Sequence, residues 1–104
     1  MPSRGDVWYA ELDKLRPVVV MHRDFAGRHL RAVLAAPLTT IIRDIPTEVR
    51  LGVEHGLDRE CVASMDNLTL VDRRRLQTRI SRLDDRTMAD MCKALSVAVA
   101  CPLG

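Results

Sequence analysis

Polar residues stand at the ends of apolar runs at three places in this 104-residue sequence. Arg16 precedes Pro17 and the valines Val18 to Val20; Thr39 and Thr40 close the run that begins at Ala32; Asp66 and Asn67 interrupt a third run. Proline disfavours helical backbone at the residue before it, so Arg16 is held extended at the mouth of a strand. An arginine and two hydroxyls brought to one rim would form a phosphate site, with the guanidinium supplying charge and Thr39 a neutral hydrogen bond. The alternative is structural: Arg16 pairs with Asp66 and the threonines merely end a strand. Spacing alone favours the structural alternative.

Other chemistry is sparse. His22, His29 and His55 are scattered, and none has a second ligand four residues away, so no metal site is expected. There is no Gly-rich phosphate loop and no G-x-S-x-G. The three cysteines, Cys61, Cys92 and Cys101, are too few for a disulfide framework and form no C-x-x-C pair. Cys61 lies in an apolar context that suits a buried, inert thiol. No leader-like segment and no run of ~20 apolar residues is present, so a soluble, unprocessed, cytoplasmic protein without a membrane span is expected.

Net charge is only +2, which by itself does not announce a nucleic-acid binder. The distribution says more. Fourteen of the 16 basic residues are arginine, and residues 72–86 hold six arginines against three aspartates. Arginine suits bidentate phosphate contact, although compositional bias would also supply many. One Trp, one Tyr and one Phe exclude a large base-stacking platform.

These residues need elements to position them. Residues 5–12 alternate Val7, Tyr9 and Glu11 against Trp8, Ala10 and Leu12, and residues 16–22 follow closely, which predicts an antiparallel hairpin. Residues 23–30 read as a turn or a single helical turn broken by Gly27. Residues 32–38 form a third strand with Pro37 near its end, followed by a mostly polar linker to Pro46. Residues 47–53 alternate again, 54–60 make a loop, and 61–71 give one or two short strands around Asp66. Asp72 caps a short helix, RRRLQ, before a strand at RISRL. Asp84 or Asp85 then caps a helix whose apolar face is Met88, Met91, Cys92, Leu95, Ala98 and Val99, ended by Pro102. The expectation is one domain over 1–104: a small, strongly curved antiparallel barrel packed against a C-terminal helix.

The succession RGDVWYAEL, RPVVV, AAPLTT, TEVRL, GLDRECVASMDN and LDDRTMADMCKAL resembles the MazF/PemK toxins of bacterial toxin–antitoxin systems across nearly the whole chain. The resemblance implies an SH3-like PemK/CcdB-type barrel that works as a homodimer, is a metal-independent, cofactor-free endoribonuclease, and is held inactive by a small acidic antitoxin. The family's active arginine before proline falls on Arg16, its threonine on Thr39 with Thr40 at the adjoining hydroxyl position, and an acid used by some members on Asp66. An arginine that some members place two residues before that acid is here Ser64. Relatives carry a longer, Gly- and Gln-rich loop before the arginine that can supply a glutamate or histidine. Only DKL fills that place here, which leaves Glu11 or Asp13 as replacements for the loop acid.

The implied reaction is attack by a ribose 2′-OH on the neighbouring phosphorus, leaving a 2′,3′-cyclic phosphate and a 5′-OH. It requires a proton acceptor, stabilisation of the phosphoryl oxygens and protonation of the leaving oxygen. Arg16 fits the second task, Thr39 would fix the phosphate, and Asp66 would act as base or orient Arg16. Arg23, Arg28, Arg31, Arg73 and Arg79 are candidates for RNA backbone contact, as is Thr40. Two competing expectations are a CcdB-like gyrase poison, disfavoured because the lone tryptophan is Trp8 rather than C-terminal, and a degenerate member that binds RNA or antitoxin without cutting.

Overall fold

The computed structural model describes residues 2–24 and 31–101. The chain forms strands β1 (Asp6–Glu11), β2 (Leu15–Val20), β3 (Ala32–Thr39), β4 (Glu48–Leu51), β5 (Cys61–Ser64), β6 (Thr69–Asp72) and β7 (Leu76–Arg82), then helix α1 (Asp85–Ala98). Single 3₁₀ turns lie at Val53–His55, Met65–Asn67 and Arg73–Arg75. The strands make one antiparallel sheet in the order β4-β5-β3-β2-β1-β7, with β6 also paired to β3. This is the curved β architecture with one C-terminal helix that the sequence implies.

β3 curls the sheet. Its residues 32–35 pair with β6 and its residues 38–39 pair with β5 on the same edge, while β2 holds the other edge through Val18↔Pro37, Val19↔Ala36 and Val20↔Ala35. A strand that changes partner along its length turns a corner between two sheets. The continuous apolar runs of β2 and β3 follow, because both faces of this pair are covered. Val18, Ala35, Ala10 and Val71 point into a small core with Trp8, Leu12 and Leu76 packed on it. Val19, Ala36 and Val7 point the other way, into the main core with Leu38, Leu51, Met65, Met88 and Met91.

α1 closes the main core. The Asp84 carboxylate accepts the Thr87 N–H at 2.8 Å, and Met88, Met91 and Ala94 are its buried residues. The face is centred on Met91, with Leu95 and Ala98 packed beside it as expected, and does not extend to Val99, which lies beyond the helix and is 55% exposed. Pro102 and residues 25–30 lie outside the described residues, so the turn expected around Gly27 and the proline stop do too. Arg4 ties the chain's start to the helix, donating to the Met21 carbonyl at 2.6 Å and to Cys92 Sγ at 3.0 Å.

Two boundaries differ from expectation. The strand read over 47–53 stops at Leu51, the last residue paired with β5, and Val53 starts a 3₁₀ turn with 72% exposure. The helix read over RRRLQ ends at Arg75, because Leu76 is already opposite Ala10 in the β1–β7 ladder.

Gly5 sits at φ +86, donating to the Val20 carbonyl at 2.8 Å and accepting from the Leu83 amide at 2.9 Å. A Cβ there would meet Met88 at an ordinary 3.5 Å, so backbone conformation rather than space selects glycine. Gly5→Ala should cost about 1–2 kcal/mol, the penalty for an L-residue in the left-handed region. Urea titration should show a lowered midpoint with an unchanged slope.

Candidate active site

Arg16 is the second residue of β2, opposite Ala10 in the hairpin. The β2–β3 ladder ends at Val18↔Pro37, where neither Pro17 nor Pro37 has an N–H to extend it. Carrying the same register two residues further sets Arg16 across from Thr39. Both line a groove of about 360 Å³ whose walls also include Leu12, Asp13, Arg43, Ser64 and Asn67. The proline beside each strand's polar end thus ends the ladder at the place where Arg16 and Thr39 line one groove.

Arg16 does not pair with Asp66. Its Nε donates to Asp13 Oδ1 at 2.9 Å and its Nη2 to Asp13 Oδ2 at 3.2 Å, a bidentate contact across the three-residue turn. That hydrogen bonding, with the charge of Arg16, holds the Asp13 carboxyl down at about 2, and Asp13 in return raises the Arg16 pKa. Thr39 Oγ1 accepts the Ile41 N–H at 3.1 Å, which leaves the hydroxyl proton to donate into the groove. Thr40 faces a smaller neighbouring pocket of about 120 Å³, together with Pro17, Asp58, Arg59 and Cys61.

Asp66 is not among the groove's lining residues; its Oδ2 accepts the Thr47 hydroxyl at 2.6 Å. The neighbouring Asn67 lines the groove instead, its amide donating to the buried Ser64 Oγ at 3.0 Å. The carboxylate bonded to Arg16 is that of Asp13 rather than Asp66, because an i,i+3 partner in a tight turn is closer than one across the barrel. Arg43 is a lining residue that sequence reasoning missed, since residues 40–46 read as a linker. The available signal was a basic residue four positions past Thr39.

The arginine-rich stretch is largely engaged with the protein itself. Asp6 is 1% exposed and gathers Arg82 Nε at 3.0 Å and Arg79 Nε at 3.5 Å on Oδ1, with the Ser3 amide at 2.9 Å on Oδ2. Arg74 pairs with Asp72 at 3.1 Å, and Arg75 donates to the Glu11 carbonyl at 3.2 Å. The Arg73 amide donates to the Arg31 carbonyl at 2.7 Å, clipping β6 to the start of β3. Arg23, Arg31, Arg73 and Arg79 are not among the residues lining the groove, and Arg28 is outside the described residues.

Burial pushes the Cys61 thiol up to about 11, helped by Asp58 and Glu60, so it is no nucleophile. His22 and His55 use Nδ1 to accept the backbone amides of Leu34 (2.8 Å) and Gly52 (3.1 Å), as packing residues do. His29 is outside the described residues. Among the described residues no three His, Cys, Asp or Glu are grouped to hold a metal, and no helix is long and apolar enough to cross a membrane.

The architecture is a curled antiparallel barrel with one C-terminal helix, and Arg16 and Thr39 line one groove on its rim. Residues 3–99 match the family described as the PemK-like, MazF-like toxin of type II toxin–antitoxin systems, and the chain belongs to that family. It is 42% identical over 106 residues to the Mycobacterium tuberculosis protein named probable endoribonuclease MazF5, covering 97% of this chain and 95% of that one. Among solved structures, Mycobacterium tuberculosis toxin MazF-mt6 superposes with a TM-score of 0.90 at 31% identity, over 94% of this chain and 99% of that one. A mycobacterial endoribonuclease in complex with its cognate antitoxin superposes with a TM-score of 0.89 at 28% identity, over the whole of both chains.

The Asp13–Arg16 pair gives a pH signature. The folded pKa of Asp13 is depressed, so its contribution is complete above the unfolded value of 3.8 and fades as pH falls toward about 2. A carbon-detected NMR titration of the carboxyl groups should place Asp13 at about 2. In Arg16→Ala it should return toward 3.8, and an unmoved value would remove the pair.

Proposed function

We propose that this chain is the toxin of a type II toxin–antitoxin pair and a sequence-specific endoribonuclease that cuts single-stranded RNA in the cytoplasm by internal transesterification. The carrying observation is that Arg16 and Thr39 line one groove in a chain of this family. The ribose 2′-oxygen forms a bond to the adjoining phosphorus, the P–O5′ bond breaks in line, one proton leaves the 2′-OH and one reaches O5′. The products carry 2′,3′-cyclic phosphate and 5′-OH ends, and the reaction needs no cofactor.

Arg16 has three N–H donors beyond the two that Asp13 takes, and these stabilise charge on the phosphoryl oxygens. The Thr39 hydroxyl donates to the same phosphate. Asp66 supports the site indirectly, through Thr47 and the 3₁₀ turn that presents Asn67. Arg43 carries the neighbouring phosphate, with Thr40, Arg23, Arg28, Arg31, Arg73 and Arg79 as outer contacts along the backbone. Two copies form the working unit, with an RNA groove running across both rims. A small acidic antitoxin covers that groove with a flexible tail; charge complementarity argues for its acidity, and the mycobacterial relative solved with its cognate antitoxin supports an antitoxin partner. The gyrase-poison reading has little support: Trp8, the lone tryptophan, packs on the small core and donates to Asp6.

Purified protein incubated with defined single-stranded RNAs in EDTA should give discrete fragments with cyclic phosphate ends, and Arg16→Ala should slow this at least ~10²-fold. RNA binding with no cleavage under any condition would favour the degenerate reading instead. Arg43→Ala should reduce the slope of log affinity against log salt by about 0.7, the value for one single-strand phosphate contact. Filter binding to an uncleavable 2′-deoxy strand across a salt series measures it.

A further inference from the structure

We infer that Asp13 is a positioning residue for the reaction, acting through Arg16; this rests on the ribonuclease reading above. Asp13 is the one carboxylate among the described residues that line the groove. Both of its oxygens are engaged by Arg16, at 2.9 and 3.2 Å, on the Nε–Nη2 edge of the guanidinium. A planar guanidinium held along one edge presents the other in a fixed direction, so the Nη1 side of Arg16 is delivered to an incoming phosphate.

The turn makes this geometry local. Glu11↔Leu15 closes the hairpin, and the Leu12 amide donates to the Lys14 carbonyl at 3.0 Å, leaving Asp13 at the apex, three residues before Arg16. Pro17 stiffens the other side of Arg16. The Asp13 side chain is 69% exposed, so its removal should leave the barrel folded. A carboxylate this acidic is a poor proton acceptor near neutral pH, which fits positioning rather than general-base work.

Asp13 also sets a negative charge beside a phosphate site. Binding should therefore be weaker, and the chemical step faster, than with a neutral residue, a split that a purely structural role would not produce. The experiment compares wild type, Asp13→Asn and Asp13→Ala on an RNA that wild type cuts, beside the ¹⁵N–Hε signal of Arg16. Expected are an equal or lower KM in both variants, with kcat down about 3-fold in Asp13→Asn, which keeps one acceptor, and about 10-fold in Asp13→Ala. The Arg16 Hε should exchange slowly with solvent in wild type and rapidly in Asp13→Ala.

Unchanged kcat in both variants overturns the inference. So does an Asp13→Asn variant as inactive as Arg16→Ala that has also lost the acidic limb of the kcat profile, because Asp13 would then be the proton acceptor. A raised KM at constant kcat overturns it as well. If wild type cuts no RNA, the ribonuclease reading fails by itself, and titration of the Arg16 signal with inorganic phosphate still decides the positioning. Tighter phosphate binding in Asp13→Ala with loss of Hε protection supports a clamp, and an unaltered response overturns it.

Discussion

One pair of strands, β2 and β3, is buried on both faces, and the rest of the molecule is arranged around that constraint. Val18 and Ala35 face the small core, Val19 and Ala36 the large one, and all four have no exposed surface. Fully burying a valine contributes roughly 1.5–3 kcal/mol, so the register Val18↔Pro37, Val19↔Ala36 is strongly fixed. A slip by one residue would exchange the contents of the two cores. That register is what brings Arg16 and Thr39 to the same rim. The site stands where the doubly buried ladder runs out, and two prolines set the end of the ladder.

The same economy of position applies to charge. Fourteen arginines in a chain with a net charge of +2 suggest a broadly cationic surface, but most of the pairing is internal. Buried Asp6 draws Arg79 and Arg82 onto the back of β1, and Asp72 holds Arg74 at the 3₁₀ turn. Arg50 bridges Glu60 at 2.6 Å and Asp44 at 3.4 Å along the outer edge of β4. Arg16 and Arg43 are the two arginines among the described residues that line the groove, so its positive character comes from placement and not from the total. Within the burst of arginines, Arg75, Arg79 and Arg82 hold β7 and its approach against β1.

The hairpin, β3 and α1 were legible because their signals are local: alternation in residues 5–12, an unbroken apolar run at 32–38, and a capping aspartate before a three- and four-residue repeat. Arg16 and Thr39 were legible for the same reason, each being a polar residue at the edge of an apolar run. What escaped depends on distance. Val53 continued an alternating pattern, yet β4 stops at Leu51 because its partner β5 begins at Cys61. Asp66 and Asn67 are adjacent in sequence, and only the 3₁₀ turn decides that Asn67 enters the groove while Asp66 turns back to Thr47. Arg43 lies in a segment with no periodicity, and its place follows from the Arg43 and Asp44 amides, which both donate to Glu48 at 3.0 Å.

The three-residue turn before Arg16 changes where the site's order comes from. A long loop would have to be arranged over the groove, at an entropic cost that grows with its length. In this chain charge and counter-charge lie in one hairpin, three residues apart, and form as soon as β1 and β2 pair. An exposed ion pair of this kind contributes little to stability. Its consequence is directional: a flexible arginine at the end of a strand acquires one preferred orientation before any ligand arrives, and so has less freedom to lose in the phosphate contact proposed for it. Thr39, fixed by the Ile41 amide, is ordered in the same local way from the next strand. The groove is thus preorganised by two short turns resting on a doubly buried ladder, and a covering loop is not needed to make it so.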